Sequence, residues 1–146
     1  MIDQICSEIS QWEFARTEEV LQRIHQCLQD AMRYYNSFAD YFISDFLQGK
    51  DREAKSFFLF SESHLIAFPK FFDQDLMQIL PLQKQIHFVE IKKKSFDDPM
   101  QATLKSRYLV NATFLQHQSV ELKSSGKNCT KAFHIVQKYL IPNLLV

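Results

Sequence analysis

The chain has 146 residues and balances 17 basic against 17 acidic side chains, which fits one domain with a single core and removes the long-range field by which basic proteins gather nucleic acid. Its two glycines are too few for a phosphate-cradling loop, where the backbone must approach the ligand closely, so P-loop and dinucleotide-binding functions are disfavoured. Cys6, Cys27 and Cys129 are odd in number and widely spaced, as expected of buried reduced thiols in a cytoplasmic protein rather than of a disulfide framework. Asp3, Glu8, Glu13, Glu18 and Glu19 interrupt the start of the chain, so neither a cleaved signal peptide nor a transmembrane segment is expected.

Ile2, Ile5, Cys6, Ile9 and Trp12 recur at spacings of three and four, predicting a short amphipathic helix. Ser10 with Glu13, and Thr17 with Glu18 and Glu19, each supply a helix start, which places a break between 10 and 17. From Val20 the strongest helical pattern follows through Leu21, Ile24, Leu28, Ala31, Tyr35, Phe38 and Phe42. Residues 41–46 also alternate in the manner of a strand, so the helix is expected to end near Asn36 or near Gln48. The rhythm changes at Gly49. Runs at 57–60 and 65–68, apolar on both faces and separated by Ser61-Glu62-Ser63-His64, predict a hairpin. Pro69 stops the second run, Asp73 starts a turn, and Leu76, Met77, Ile79 and Leu80 precede Pro81. A further strand over 86–91 is expected to end at Lys92, Lys93 and Lys94. Asp98-Pro99 offers a helix start in competition with an extended segment through Leu104. Residues 108–115 and 120–122 read as a second hairpin. Ala132, Phe133, Val136, Tyr139 and Leu140 form a closing helix that Pro142 terminates. The fold class is α+β: helical residues 1–40 packed on residues 41–146, a curved antiparallel sheet or barrel closed by a C-terminal helix, in one domain.

The stretch FFLFSESHLIAFPKFFDQDLMQILPLQKQIHFVEI over 57–91 resembles the early strands of pleckstrin-homology domains, particularly those beside Rho-family exchange-factor domains. An FLFS-like strand stands at 58–61, a second apolar strand at 65–68 and a Leu-Pro-Leu strand at 80–82, while 41–47 could supply the first strand. The resemblance implies a seven-stranded barrel plugged by the helix from Asn128. It also implies phosphoinositide contact through Lys50, Arg52 and Lys55, although Asp51 and Glu53 cancel much of that field. The family's closing helix usually carries an inward tryptophan, and the nearest match is Phe133. The residues before Ser37 carry no exchange-factor motif, so no exchange activity is inferred.

No catalytic or metal signature stands out. His25, His64, His87, His117 and His134 are never three or four apart, and none pairs with a cysteine at zinc spacing. Cys129 with His134 would need a third, orienting group to act as a nucleophile. Asp73 with Asp75 and Asp97 with Asp98 stand beside prolines, as turn and cap residues do. Lys92, Lys93 and Lys94 could meet a phosphate or an acidic partner, or could simply guard a strand end. The 14 phenylalanines crowd around 57–72, and a strand apolar on both faces must be covered twice, by its own helix or by a partner. Phe57, Phe71 and Phe72 are therefore the candidate interface residues. The expected function is a non-catalytic protein-interaction domain, an adaptor or assembly subunit whose partner is another protein or a second copy, with peripheral anionic lipid as an added contact. It needs no cofactor and binds no nucleic acid. A small secretion-chaperone-like dimer is one alternative. A hydrophobic-ligand binder using Tyr34, Tyr35, Tyr108 and His87 is another.

Overall fold

The computed structural model describes residues 18–44, 56–70, 76–98, 103–125 and 128–145, together with 3, 4 and 7. The stripe Leu21, Ile24, Cys27, Leu28 and Ala31 makes one face of helix α1 (Glu18–Met32), as the spacing requires. The helix ends at Met32, close to the earlier of the two expected ends. The amides of Tyr34 and Tyr35 both bond back to the carbonyl of Ala31, at 3.0 and 3.1 Å, closing the last turn, and by Asp40 the chain is extended. Pairing with the next strand decides between helix and strand here, because it buries Tyr41 and Ile43 on one face and Phe42 on the other.

Strand β1 (Asp40–Ile43) pairs with β2 (Phe57–Phe60), β2 with β3 (His64–Phe68) and β3 with β4 (Gln78–Pro81), all antiparallel, in a four-stranded meander. A three-stranded meander follows: β5 (Ile86–Asp98), β6 (Thr103–Phe114) and β7 (Ser119–Ser125). Helix α2 (Asn128–Ile135) continues into a π-helical turn (Val136–Leu140) and a short 3-10 turn (Ile141–Asn143), with Pro142 at the point where the closing helix was expected to stop.

The first sheet is buried on both faces. Phe42, Phe58, Phe60, Leu65, Ala67 and Leu80 point inward and join Val110, Ala112, Phe114, Val120 and Leu122 of the second sheet and Ala132, Ile135, Val136, Tyr139 and Leu140 of the closing helix. Tyr41, Ile43, Phe57, Leu59, Ile66 and Phe68 point the other way, onto α1. The cover predicted for the second face is thus supplied by the chain's own helix.

The barrel expected from the resemblance does not close by backbone pairing: among the described residues the seven strands form two separate sheets. At one corner the chain turns between β4 and β5, where Lys84 takes φ 55°. At the other, a side chain takes the place of a ladder. The Ser44 hydroxyl, just past β1, accepts from the Lys123 amide of β7 at 2.6 Å and donates to the Lys123 carbonyl at 3.3 Å. Asn128 of α2 adds a bond from its side-chain amide to the Ile43 carbonyl at 2.9 Å.

Strand β5 also differs from expectation. It does not stop at the lysines but runs on to Asp98, paired with β6 as far as Thr103. An edge strand can carry lysines without burying them; Asp98 and Leu104 are extended, and the turn expected from Pro99 lies outside the described residues. A register shift between Ile86 and Phe88 leaves His87 as the extra residue of a bulge. Ile86 and Val89 consequently share the core side, and Phe88 turns to solvent.

Phe57 is 0% exposed and stacks on Phe68 with ring centroids 5.9 Å apart. Phe57→Ala is expected to cost about 3–5 kcal/mol of unfolding free energy, the usual cost of emptying a large core site. Urea denaturation measures it, and a loss below about 1 kcal/mol, the size of an ordinary surface change, would mean that α1 does not cover this face.

Candidate functional site

Three places bring polar or exposed groups together. The first is Asp40, at the start of β1. The Lys138 ammonium lies 2.9 Å from one carboxylate oxygen and His134 Nε2 lies 3.3 Å from the other. The Tyr139 hydroxyl donates to the same carboxylate. Residues 134 and 138 lie one turn apart, and the widened π turn brings Tyr139 round toward their side, so three donors converge on one acceptor. The Tyr139 ring meanwhile stacks on Phe60 at 4.8 Å, the apolar body in the core and the polar tip at its rim.

Burial works against ionising Asp40, but the Tyr139 and Lys138 hydrogen bonds, with the charges of Lys138 and His134, outweigh it and hold the carboxyl below its ordinary range. Burial, and then the bond to Asp40 and its charge, push the Tyr139 phenol well above its ordinary range. A neutral phenol donating to an ionised carboxylate is a tie between the closing helix and the first sheet.

The second place is a cleft of about 430 Å³ lined by His25, Leu28, Gln29, Met32, Asn36, Ser37 and Phe38. It lies between the end of α1 and the segment leading to β1, and its walls are chiefly apolar.

The third lies along β5 and the adjoining part of α2. Ile91 stands opposite Val110 on the inward side of the second sheet, beyond the reach of the closing helix, and is 49% exposed. Lys93 stands opposite Tyr108, whose ring meets Phe133 edge-on at 4.6 Å and lies 5.8 Å from the Lys93 ammonium. Phe133 is 39% exposed, and on the other face of β5 Phe88 is 45% exposed. An apolar and aromatic strip with lysines at its margin therefore flanks the strand edge on both faces.

The candidate residues read from the sequence fall as follows. Phe57 is enclosed beneath α1, so it offers no surface while the helix is in place. Phe71, Phe72, Lys50, Arg52 and Lys55 lie outside the described residues, as do most of the first predicted helix and Asp73 with Asp75. Lys92 is exposed and lies 3.4 Å from Glu90. Alternation sends Lys92 and Lys93 to opposite faces, and Lys94 continues the same strand. The run is therefore not one basic patch. Phe133 faces Tyr108 and solvent, and the inward positions of α2 are Ala132 and Ile135. Tyr35 meets His64 and Phe38, Tyr108 meets Phe133, and His87 meets Phe88. Of the four residues proposed for a ligand pocket, Tyr35, Tyr108 and His87 thus have separate ring partners, and Tyr34 is exposed. Cys27 and Cys129 are buried, and His117 takes φ 67° in the β6–β7 turn. Among the described residues no cluster of histidine, cysteine and carboxylate could hold a metal ion, and no helix is long and apolar enough to cross a membrane.

Nothing local marks Asp40, which lies far along the chain from Lys138 and Tyr139. Nor does hydrophobic spacing alone reveal the bulge that exposes Phe88. Comparisons with family models, with curated proteins and with solved structures find no match for this chain.

Asp40→Asn is expected to lower the unfolding free energy by about 1–3 kcal/mol at pH 7, the range for hydrogen bonds to a charged group. Because the folded carboxyl titrates below its unfolded value, its contribution is complete above the unfolded value of about 3.9 and is lost as pH falls through the lowered folded value. The gap between wild type and Asp40→Asn in urea denaturation should therefore narrow on acidification. A gap that widens would contradict this reading.

Proposed function

We propose that the chain is a non-catalytic protein-interaction domain, an adaptor or assembly subunit, built on a pleckstrin-like plan. The observation that carries this reading is the exposure of Ile91 and Phe133 beside the half-buried Tyr108 of β6, with Phe88 exposed on the other face of β5. Exposed aromatic and aliphatic side chains beside lysines are what protein interfaces use as anchors and rim. The Phe57 face, the first choice from the sequence, gives way to this strip because α1 already occupies it. A strand edge flanked by such side chains suits strand addition, in which backbone bonds give affinity and side chains on both faces give selectivity.

The pleckstrin-like plan draws support from the order of elements: a four-stranded meander, a three-stranded meander and a closing helix, with strands at each position the resemblance requires. The outward Phe133 departs from that plan.

A photo-crosslinking side chain at Ile91 or Phe133 is expected to give a discrete protein adduct in cell extract. The same group at Gln22, exposed on α1, should give none. Equal labelling at all three positions, or a small hydrophobic molecule captured in place of protein, would contradict the reading.

A further inference from the structure

Strand β5 is an edge strand. Among the described residues it is paired along its length with β6, and on its other side Leu144 bridges it at Ile86, where the Leu145 amide bonds to the Ile86 carbonyl at 2.9 Å. From Phe88 onward that side presents a row of backbone donors and acceptors to which another strand can pair.

The side chains restrict which strand. Glu90 and Lys92 project to the same face and are both largely exposed, with side-chain accessibilities of 52% and 69%. If two copies of β5 meet antiparallel about a two-fold axis through Ile91, each Glu90 stands opposite Lys92 of the other copy. The two Ile91 side chains then meet at the centre, Val89 faces Lys93, and Phe88 faces Lys94. Moving the axis to Glu90 sets two carboxylates opposite each other, and moving it to Lys92 sets two ammoniums there. Like charges directly opposite destabilise a strand pair and unlike charges stabilise it, so of these three registers the one through Ile91 is favoured. The lysines that discourage indiscriminate edge pairing tolerate this one, because Glu90 answers Lys92. The chain's own tail at Ile86 limits the pairing to 88–94.

We infer that a second copy of this chain is the occupant of the β5 edge, paired antiparallel about Ile91, so that the two three-stranded sheets become one continuous sheet. The contact is isologous, the same surface used by both copies. It covers Ile91 and Phe88, which are half exposed in the single chain. The inference rests on reading the chain as an interaction domain and names the partner of that surface.

Sedimentation equilibrium of the full chain tests it, with Glu90→Lys, Lys92→Glu and the double charge swap. The wild type is expected to dimerise. Each single substitution creates like-charge pairs and should raise the dissociation constant about tenfold or more, and the double swap should return it to within about threefold of wild type. Circular dichroism should be unchanged throughout, since both side chains are exposed. A wild type that stays monomeric at its highest attainable concentration would overturn the inference. So would a dimer indifferent to the single substitutions, or a double swap as weak as either. If the monomeric chain still crosslinks another protein through Phe133, this inference alone fails. If it crosslinks none, the interaction reading fails with it.

Discussion

Strand β2 reads Phe57-Phe58-Leu59-Phe60 and offers no polar side chain to water on either face. Such a strand is stable only between two layers, and the rest of the molecule answers that constraint. Phe58 and Phe60 take the second sheet and the closing helix, while Phe57 and Leu59 take α1. Each fully buried phenylalanine contributes on the order of 1.5–3 kcal/mol relative to exposure. Helix α1 is thus an integral layer, and the surface left for partners lies on the other sheet.

The layers are then pinned by polar ties that hydrophobic burial, being non-directional, cannot supply. Ser44 holds β1 to β7 across the corner where no ladder forms. Asn128 fixes the start of α2 to β1, and Asp40 fixes its end through Lys138 and Tyr139. Lys131 of α2 adds its ammonium over the Tyr41 ring, 3.0 Å from the centroid. Both ends of β1 are thereby attached to α2. The helix that plugs the core is located by three short elements of β1 sequence rather than by its own modest amphipathicity.

Much of this was legible in the chain. The runs at 57–60 and 65–68, the hairpin over 108–122 and the closing helix all carried the right period, because their partners reinforce what local spacing prefers. The end of α1 stayed open between Asn36 and Gln48 because Phe38 and Phe42 continue its helical spacing, and pairing with β2 assigns Phe42 to a strand. The length of β5 was misjudged because three lysines suggest a stop, yet Lys92 and Lys93 stay exposed on a strand that continues past them. The site was the least legible part. Phe57 looked like an anchor because its cover, α1, comes from a distant segment, whereas the exposure of Phe88 follows from the bulge at His87, which hydrophobic spacing does not announce.

The central claim is that α1 is a permanent layer over Phe57 and that partners meet the molecule elsewhere. Hydrogen exchange of the intact chain, resolved by mass spectrometry, tests it directly. Amides of residues 24–31 in α1 should exchange with those of β2 and β3 in one global event, since they share a core. Exchange of α1 by a separate, lower-energy opening while β2 and β3 stay protected would contradict the account, because the helix would then be a removable cover and Phe57 a surface in waiting.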